Sequence, residues 1–413
     1  MTLPSDIDVA IIGAGAAGLA AARTLEGSGL NSLILEARDR IGGRAHTMIV
    51  GDGIPFDLGC GWLHSADENP FVAIAEQLGF EVNRSLPPWR LRSYKDVFPQ
   101  RERDEFFAAL DAFFTRTEAA ARRVQDSVAS DCLEPGNRWN PMIDAISTYI
   151  NGCELDQVSV KDFEAYEDTE INWRVPRGYG ALIAAYGAPC KVALNCNVFL
   201  IDHSGARIRI ETSRGTLTAD KIIVCAPTDL IAAEAIRFHP ALPEKVNAAA
   251  MLPLGADDKV MLALDRDNDL PQDGNLRGAT MRTAMGTYHL RPFGRSCIEG
   301  FFGGRYAREL EDAGEGAMAA TAIDEIVGLL GSNYRRKLTP LGASRWSRDP
   351  FARGSYSHAL PGHADKRAVL AAPVNDRIFF AGEATSPDFF TTAHGAQQSG
   401  VRAAKEAMQI KAG

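Results

Sequence analysis

The chain has 413 residues, with 44 Lys and Arg against 53 Asp and Glu, a formal net charge of −9. Hydrophobic residues make up 46% and charged residues 23%, the usage of a globular protein of two or three domains rather than a disordered or collagen-like one. The acidic balance argues against a nucleic-acid backbone as main partner, and no run approaches the roughly 18 apolar residues of a membrane span. The opening Met-Thr-Leu-Pro-Ser-Asp carries no basic segment of a signal peptide. Seven cysteines (60, 132, 153, 190, 196, 225, 297) are odd in number, scattered and without C-x-x-C. Reduced thiols and a cytoplasmic location are therefore expected, not a disulfide frame or a zinc site.

Ile7 to Ile12 is a short β-branched run that predicts a strand buried on both faces, as in a parallel sheet. Gly13-Ala14-Gly15-Ala16-Ala17-Gly18 follows, then an Ala/Leu-rich helix to Leu25 that ends at Gly27 and Gly29. Ser32 to Leu35 reads as a second buried strand with Glu36 at its C-terminal end, completing a βαβ unit. Phe106, Phe107, Leu110, Phe113 and Phe114 recur at helical spacing between Glu102 and about Val124, and more helix is expected up to about Asp168. Val198–Ile201, Ala206–Ile210 and Lys221–Val224 read as a meander. Val260–Leu264 and Ser296–Phe302 are further strands, Glu315–Leu330 a helix, Arg377–Ala381 a last strand and Gly395–Met408 a last helix.

The strand–glycine–helix context gives G-x-G-x-x-G its physical meaning. Gly13 makes the tight turn, Gly15 lets backbone approach a pyrophosphate, and Gly18 allows close helix–strand packing. The free N–H groups and positive dipole end of the following helix face the phosphates. Glu36 stands where a carboxylate binds ribose hydroxyls. The motif alone leaves NAD and FAD open. Arg40-Ile41-Gly42-Gly43-Arg44 favours FAD, because a second glycine pair and a guanidinium can reach the same pyrophosphate.

These segments, together with Glu36-Ala37-Arg38 and Asp57-Leu58-Gly59-Cys60-Gly61-Trp62, resemble the flavin-containing amine oxidase family. So do Phe380-Ala381-Gly382-Glu383-Ala384-Thr385 and Thr392-Ala393-His394-Gly395-Ala396 through Ser399-Gly400 near the C-terminus. The wording is similar to polyamine oxidases and histone lysine demethylases more than to monoamine oxidases. The resemblance implies a Rossmann-like FAD-binding domain assembled from residues 1–85, 190–260 and 355–413. An α+β substrate-binding domain would come from 86–189 and 261–354. It places Gly13, Gly15, Ala16, Gly18, Glu36, Ala37, Arg38, Gly43, Arg44, Gly61, Trp62, Val198, Trp346, Gly382, Glu383, Thr392 and Ala393 about the cofactor. Monoamine oxidases tether flavin through a cysteine just before an active-site tyrosine. Here that stretch is Arg353-Gly354-Ser355-Tyr356, which implies non-covalent FAD.

Three residues carry the catalytic expectations. Lys259 matches the family lysine that holds a water near flavin N5; flanking Asp257 and Asp258 equally permit a solvated lysine in a surface ion pair. Tyr356 would form one wall of an aromatic site over the amine, with Thr392 where monoamine oxidases have the second wall. His64 falls where animal-type polyamine oxidases carry a histidine, although the family glycine after it is Ser65. Glu164, Glu167, Asp168 and Glu170 are candidates for a distal ammonium by density alone. His358 and His363 lie in a Pro-Gly loop, and no metal is expected.

The resulting expectation is oxidation of a primary or secondary, polyamine-like amine to an imine by hydride transfer to flavin N5. Oxygen would reoxidise the flavin and yield hydrogen peroxide. No nucleic-acid or membrane partner is expected. Rivals are an L-amino-acid oxidase, with Arg177 or Arg305 as carboxylate clamp, a non-amine desaturase of the same superfamily, and a protein with structural flavin.

Overall fold

The computed structural model describes residues 3–91, 93–94, 98–278 and 281–409. Residues 92, 95–97 and 279–280 of the expected substrate domain, and 1–2 and 410–413 of the expected FAD segments, lie outside the described residues. The strands in chain order are β1 (Asp6–Ile12), β2 (Ser32–Leu35), β3 (Thr47–Val50), β4 (Ile54–Asp57), β5 (Val192–Ala193), β6 (Val198–Asp202), β7 (Ile208–Thr212) and β8 (Gly215–Val224). They continue with β9 (Arg237–His239), β10 (Asp257–Leu264), β11 (Gly274–Arg277), β12 (Thr287–Leu290), β13 (Cys297–Gly303), β14 (Leu338–Ala343) and β15 (Ile378–Phe380).

Sheet one has the order β5-β2-β1-β8-β7-β6-β9, with β15 also pairing β8. β1 lies between β2 and β8, parallel to both, with Ile11 opposite Ile34 on one side and Ile223 on the other. This central position explains its unbroken apolar run: alternate side chains feed two separate cores. Val9 and Ile11 join Ile34, Ile223 and Phe379 on one face, and Ala10 and Ile12 join Leu33, Leu35, Ile222 and Phe380 on the other. The first face is covered by helices Ala16–Leu25 and Ala393–Gln409. A Cβ on Gly400 would come within 2.0 Å of the Ala17 carbonyl oxygen, so the two helices touch backbone to backbone there.

The second sheet, β11-β12-β13-β10-β14, is antiparallel and sends Val260, Leu262, Tyr288, Leu290, Ile298 and Phe302 into a core with helices Gly304–Asp312 and Ala317–Leu330. β10 starts at Asp257, so the strand that carries Lys259 belongs to this sheet, three residues before the boundary expected at 260. Helix Tyr179–Gly187, expected with the substrate domain, packs instead into a core of sheet one, because Tyr179, Leu182 and Ile183 form its buried face.

The helical segment differs in detail from its periodicity. Gln100–Ala121 is one helix, but beyond it only Asn140–Ile150 and Val160–Ala165 are α-helical before Asp168, with turns and single 3-10 turns between. Phe106 and Phe113 are buried, whereas Phe107 and Phe114 are exposed. The four aromatics and Leu110 thus divide between a core and the wall of a cavity rather than forming one buried stripe.

Candidate active site

A cavity of about 1020 Å³ runs from the C-terminal ends of β1 and β2 to the open face of the second sheet. The glycine loop forms its first end. Gly13 turns at φ +95, where a Cβ would press on the Cys225 carbonyl at 3.1 Å. A Cβ on Gly15 would meet nothing within 4 Å, so that loop is open to the cavity. Gly18 does not line the cavity; a Cβ there would sit 1.9 Å from the Gly13 carbonyl, so its role is packing, as the motif requires. The Arg40–Arg44 loop closes against the first one: Gly42 N–H donates to Ala14 O, and a Cβ on Gly43 would lie 3.2 Å from Gly15 Cα. Glu36 is buried, accepting from Ala14 N–H at 2.6 Å and Arg38 N–H at 2.8 Å.

Across the cavity Arg44 donates to Ser355 O at 2.6 Å and to Glu383 at 3.1 Å. Burial alone would raise the Glu383 carboxyl, but Arg44 and Arg367, with hydrogen bonds from Ser357 and Thr391, hold it below the usual range. The Ser355 hydroxyl, at the position of the tethering cysteine, is committed to strand β10: it accepts from Asp257 N–H and donates to Asp257 O. Thr392 donates to Phe389 O and accepts from Gly395 N–H, so it caps the helix that begins at Ala393. Both Thr392 and Ala393 line the cavity, which places that helix N-terminus and its positive dipole end at the wall.

Lys259, Tyr356 and His64 line the same cavity. Lys259 is 4% exposed, with Nζ 3.6 Å from Glu299 Oε1 and no hydrogen bond. A Cβ on Gly61 would stand 2.8 Å from this ammonium, so glycine there leaves the space that the end of the lysine occupies. The surface ion pair with Asp257 or Asp258 does not occur. Asp258 is fully buried and accepts from Ser344 Oγ and Trp346 N–H. The Asp257 carboxyl, beside the cavity, is pushed up to about 7 by burial, against the pull of Lys259.

Glu299 balances the cations at this end. Burial pushes it up, yet Arg174 at 2.9 Å, Lys259 and His289 bring it down to about 2. The His64 imidazole places Nδ1 2.6 Å from Asn172 Oδ1, which assigns the ring proton to Nδ1 and leaves Nε2 as an acceptor. Burial lowers its pKa, so the ring is neutral at pH 7. Ser65 adopts φ +45, the left-handed backbone that the family glycine would supply, so the turn behind His64 is kept without the glycine. The Tyr356 hydroxyl donates to Tyr149 O at 2.6 Å, fixing the ring at the wall.

Besides Gly18, a second residue expected about the cofactor stands off the cavity wall. Trp346 does not line the cavity; it is buried behind Gly59, with its indole N–H donating to Leu58 O at 2.9 Å. Its position supports the Asp57–Trp62 turn instead. Of the acidic candidates, Glu164, Asp168 and Glu170 line the cavity, Glu170 paired with Arg90, while Glu167 does not. Neither arginine considered as a carboxylate clamp reaches it: Arg177 stacks on Phe80, and Arg305 pairs with Asp156 and Glu154. Sequence reasoning missed Asn172, Arg174 and Glu299. Arg174 and Glu299 meet Lys259 through separate segments, and no local spacing announces them.

The residues present fit FAD. Gly15 and Gly43 leave a cradle that side chains would fill, Glu36 and Arg44 stand at its sides, and an ammonium without a hydrogen-bond partner faces the far end. A model of the family described as flavin containing amine oxidoreductase matches residues 16–408. Polyamine oxidase 4 of Oryza sativa subsp. japonica is 29% identical, covering 96% of this chain and 88% of its own length. Polyamine oxidase 2 of Arabidopsis thaliana is 27% identical, covering 96% and 87%. A lysine-specific histone demethylase homologue of Oryza sativa subsp. japonica is 28% identical over 96% of this chain and 56% of its own. A solved putrescine oxidase bound to putrescine has the same fold, with a TM-score of 0.80 at 18% identity over 99% of this chain and 100% of that one. Cradle, buried lysine and full-length likeness agree, and the chain belongs to the flavin containing amine oxidoreductase family as an FAD-dependent oxidase of amines.

Proposed function

We propose that the chain oxidises a primary or secondary aliphatic amine of the polyamine type, using non-covalent FAD with oxygen as electron acceptor. The observation that carries this reading is that Lys259, His64 and Tyr356 line the same cavity as the glycine cradle. The names of the polyamine oxidase relatives support the substrate class, as do Glu164 and Asp168 at the cavity wall, which suit a second ammonium. When bound, FAD supplies a two-electron acceptor for a hydride from the carbon beside the nitrogen, leaving an imine for water to hydrolyse and passing the electrons to oxygen as hydrogen peroxide.

The residues of the chain set the conditions for that transfer. His64 Nε2 accepts a hydrogen bond from an N–H of the substrate amine and orients it, and hydride loss needs the lone pair of the unprotonated amine. Tyr356 presents an aromatic face to the same nitrogen. Lys259 supplies a fixed positive charge that orients a water and assists the reaction with oxygen. The Ala393–Gln409 helix terminus adds a positive dipole end where negative charge develops. Ser355 offers no thiol for a covalent tether, and the seven free cysteines support a reducing compartment such as the cytoplasm.

Anaerobic mixing with spermine, spermidine, putrescine, a benzylic amine and an L-amino acid, followed by flavin absorbance, tests the reading. Bleaching by the di- and polyamines is expected, with a rate that rises with pH through the pKa of the bound amine. A flavin that no amine bleaches, or a rate flat with pH, would contradict it.

A further inference from the structure

The open face of the second sheet holds a cross-strand row that the amine chemistry above uses only at one end. Lys259 on β10 pairs with Phe301 on β13, Phe301 with Thr287 on β12, and Thr287 with Arg277 on β11. Residues directly opposite in antiparallel strands share a face, and all four line the cavity. Three inter-strand steps of about 4.8 Å separate the two ends, so the Lys259 and Arg277 backbones stand about 14 Å apart.

Arg277 is half-buried and makes no hydrogen bond or ion pair among the described residues. Burial disfavours its charge, and the Tyr149 phenol is the one group that offsets this. Arginine does not give up its proton to escape such a cost. Its neighbours on the same face are uncommitted donors too: the Thr287 hydroxyl and the Asn275 side-chain amide line the cavity without a hydrogen-bond partner among the described residues. The carboxylates of the cavity stand on other elements, and none of them pairs with Arg277 among the described residues. Glu36 and Glu383 belong to the cofactor end, Asp257 to the opposite end of the row, and Glu164, Asp168 and Glu170 to the 160–172 segment. Glu325, close to Gly278, is turned to the Tyr288 hydroxyl and Gly286 N–H.

We propose that Arg277, Thr287 and Asn275 form a subsite for a carboxylate borne by the amine substrate, at the end of the arm that runs from the reacting nitrogen toward β11. A guanidinium fork matches a carboxylate bidentately, and the hydroxyl and amide supply further donors. A distal ammonium on that arm would meet an unbalanced like charge. The carboxylate of an α-amino acid lies one bond from the oxidised carbon, too near to reach a site three strands from Lys259. The substrate is therefore a longer amine: an ω-amino acid or a polyamine with a carboxyalkyl arm. This rests on the amine-oxidase reading and adds the identity of the far end.

The test compares matched pairs in flavin reduction by the holoenzyme: putrescine with γ-aminobutyrate, cadaverine with δ-aminovalerate, and spermidine with carboxyethylputrescine. The proposal expects at least one carboxylate member to exceed its ammonium partner by tenfold or more in kcat/KM. Arg277→Gln should erase that preference and Arg277→Lys retain part of it, with FAD content and thermal midpoint read on each variant. Should Arg277→Gln fail to hold FAD, Thr287→Val should lower the same ratio several-fold. Diamines preferred by the parent enzyme, or a ratio that no substitution moves, would overturn the subsite and leave the amine-oxidase reading standing. No reduction by any member would overturn both.

Discussion

Glu383 and Glu299 are both buried carboxylates held below their ordinary pKa by cations, Glu383 at the cavity wall and Glu299 behind Lys259, yet their surroundings differ in kind. Glu383 accepts from Ser357 Oγ at 2.7 Å, Thr391 N–H at 3.0 Å and Arg44 at 3.1 Å. Ser357 accepts in turn from Arg367, whose fork is bidentate on Asp162 at 2.6 and 2.8 Å. Glu299 has the cations Arg174 and Lys259 at 2.9 and 3.6 Å and the His289 ring at 4.0 Å, and neither of its oxygens accepts a well-aligned hydrogen bond. A fully bonded network fixes geometry, as a cofactor cradle requires. A network of charge without bonds fixes protonation while leaving the Lys259 donors free for chemistry.

The contrast is broken most severely at Arg367. Arg367→Ala strands Asp162 in the interior and removes a cation from the Ser357–Glu383 chain, a loss of about 3–5 kcal/mol for a broken buried pair. A thermal midpoint lowered by several degrees and loss of FAD from the purified protein are expected. A variant that keeps both would show that the bonded network is not what holds the cradle.

At the other end the effect should fall on chemistry rather than stability. Lys259→Met leaves Glu299 paired with Arg174 and exchanges one long side chain for another of similar volume. FAD content should be retained, while reoxidation of the reduced flavin by oxygen slows about 100-fold, or about 2.7 kcal/mol of barrier. Stopped-flow reoxidation measures this directly, and loss of flavin in parallel with rate would merge the two regions that the geometry separates.

Asp257 sharpens the comparison through pH. Its folded pKa of about 7 lies above the ordinary 3.8, so the native state holds a proton that the unfolded chain gives up. Stability from this group is complete below about pH 4 and is lost as pH rises through 7. The loss is about 2 kcal/mol once solvent in the cavity is allowed for. Glu299 runs the opposite way, its contribution present above 4.5 and lost as pH falls toward 2. Denaturant midpoints at pH 5 and pH 8 should therefore converge in Asp257→Asn relative to the parent. An unchanged difference between the two pH values would count against a protonated Asp257.

The two ends were also unequally legible in sequence. The cofactor end is written in local motifs because backbone makes it: Gly13, Gly15 and Gly18 are demanded by a turn, an open approach and a 1.9 Å clash within six residues of chain. Lys259, His64 and Tyr356 were recognisable by resemblance, but their partners were not. Glu299, Arg174 and Asn172 reach them across strand pairing and loop closure, where no spacing rule applies. Trp346 shows the converse, since a residue at a family position beside the cofactor stands off the cavity wall here and supports the Gly59 turn from behind. Arg277 gave no local signal at all; its meaning depends on a register that puts it in line with Lys259.

The smallest effect is expected at Ser65, where two backbone terms compete. A left-handed Cβ costs roughly 1–2 kcal/mol, which Ser65→Gly removes, whereas the glycine adds about 0.5–1 kcal/mol of unfolded-state entropy. The hydroxyl accepts from Thr169 N–H at 3.3 Å, too long to weigh heavily. Ser65→Gly should thus gain a few tenths of a kcal/mol by this difference, with kcat/KM unchanged because His64 keeps its turn. Ser65→Ala retains the strained Cβ and loses the hydroxyl, so it should be the less stable of the two in thermal unfolding. Both variants lack the hydroxyl, so the reverse order would mean that the strain of the left-handed Cβ is smaller than the unfolded-state entropy that glycine adds.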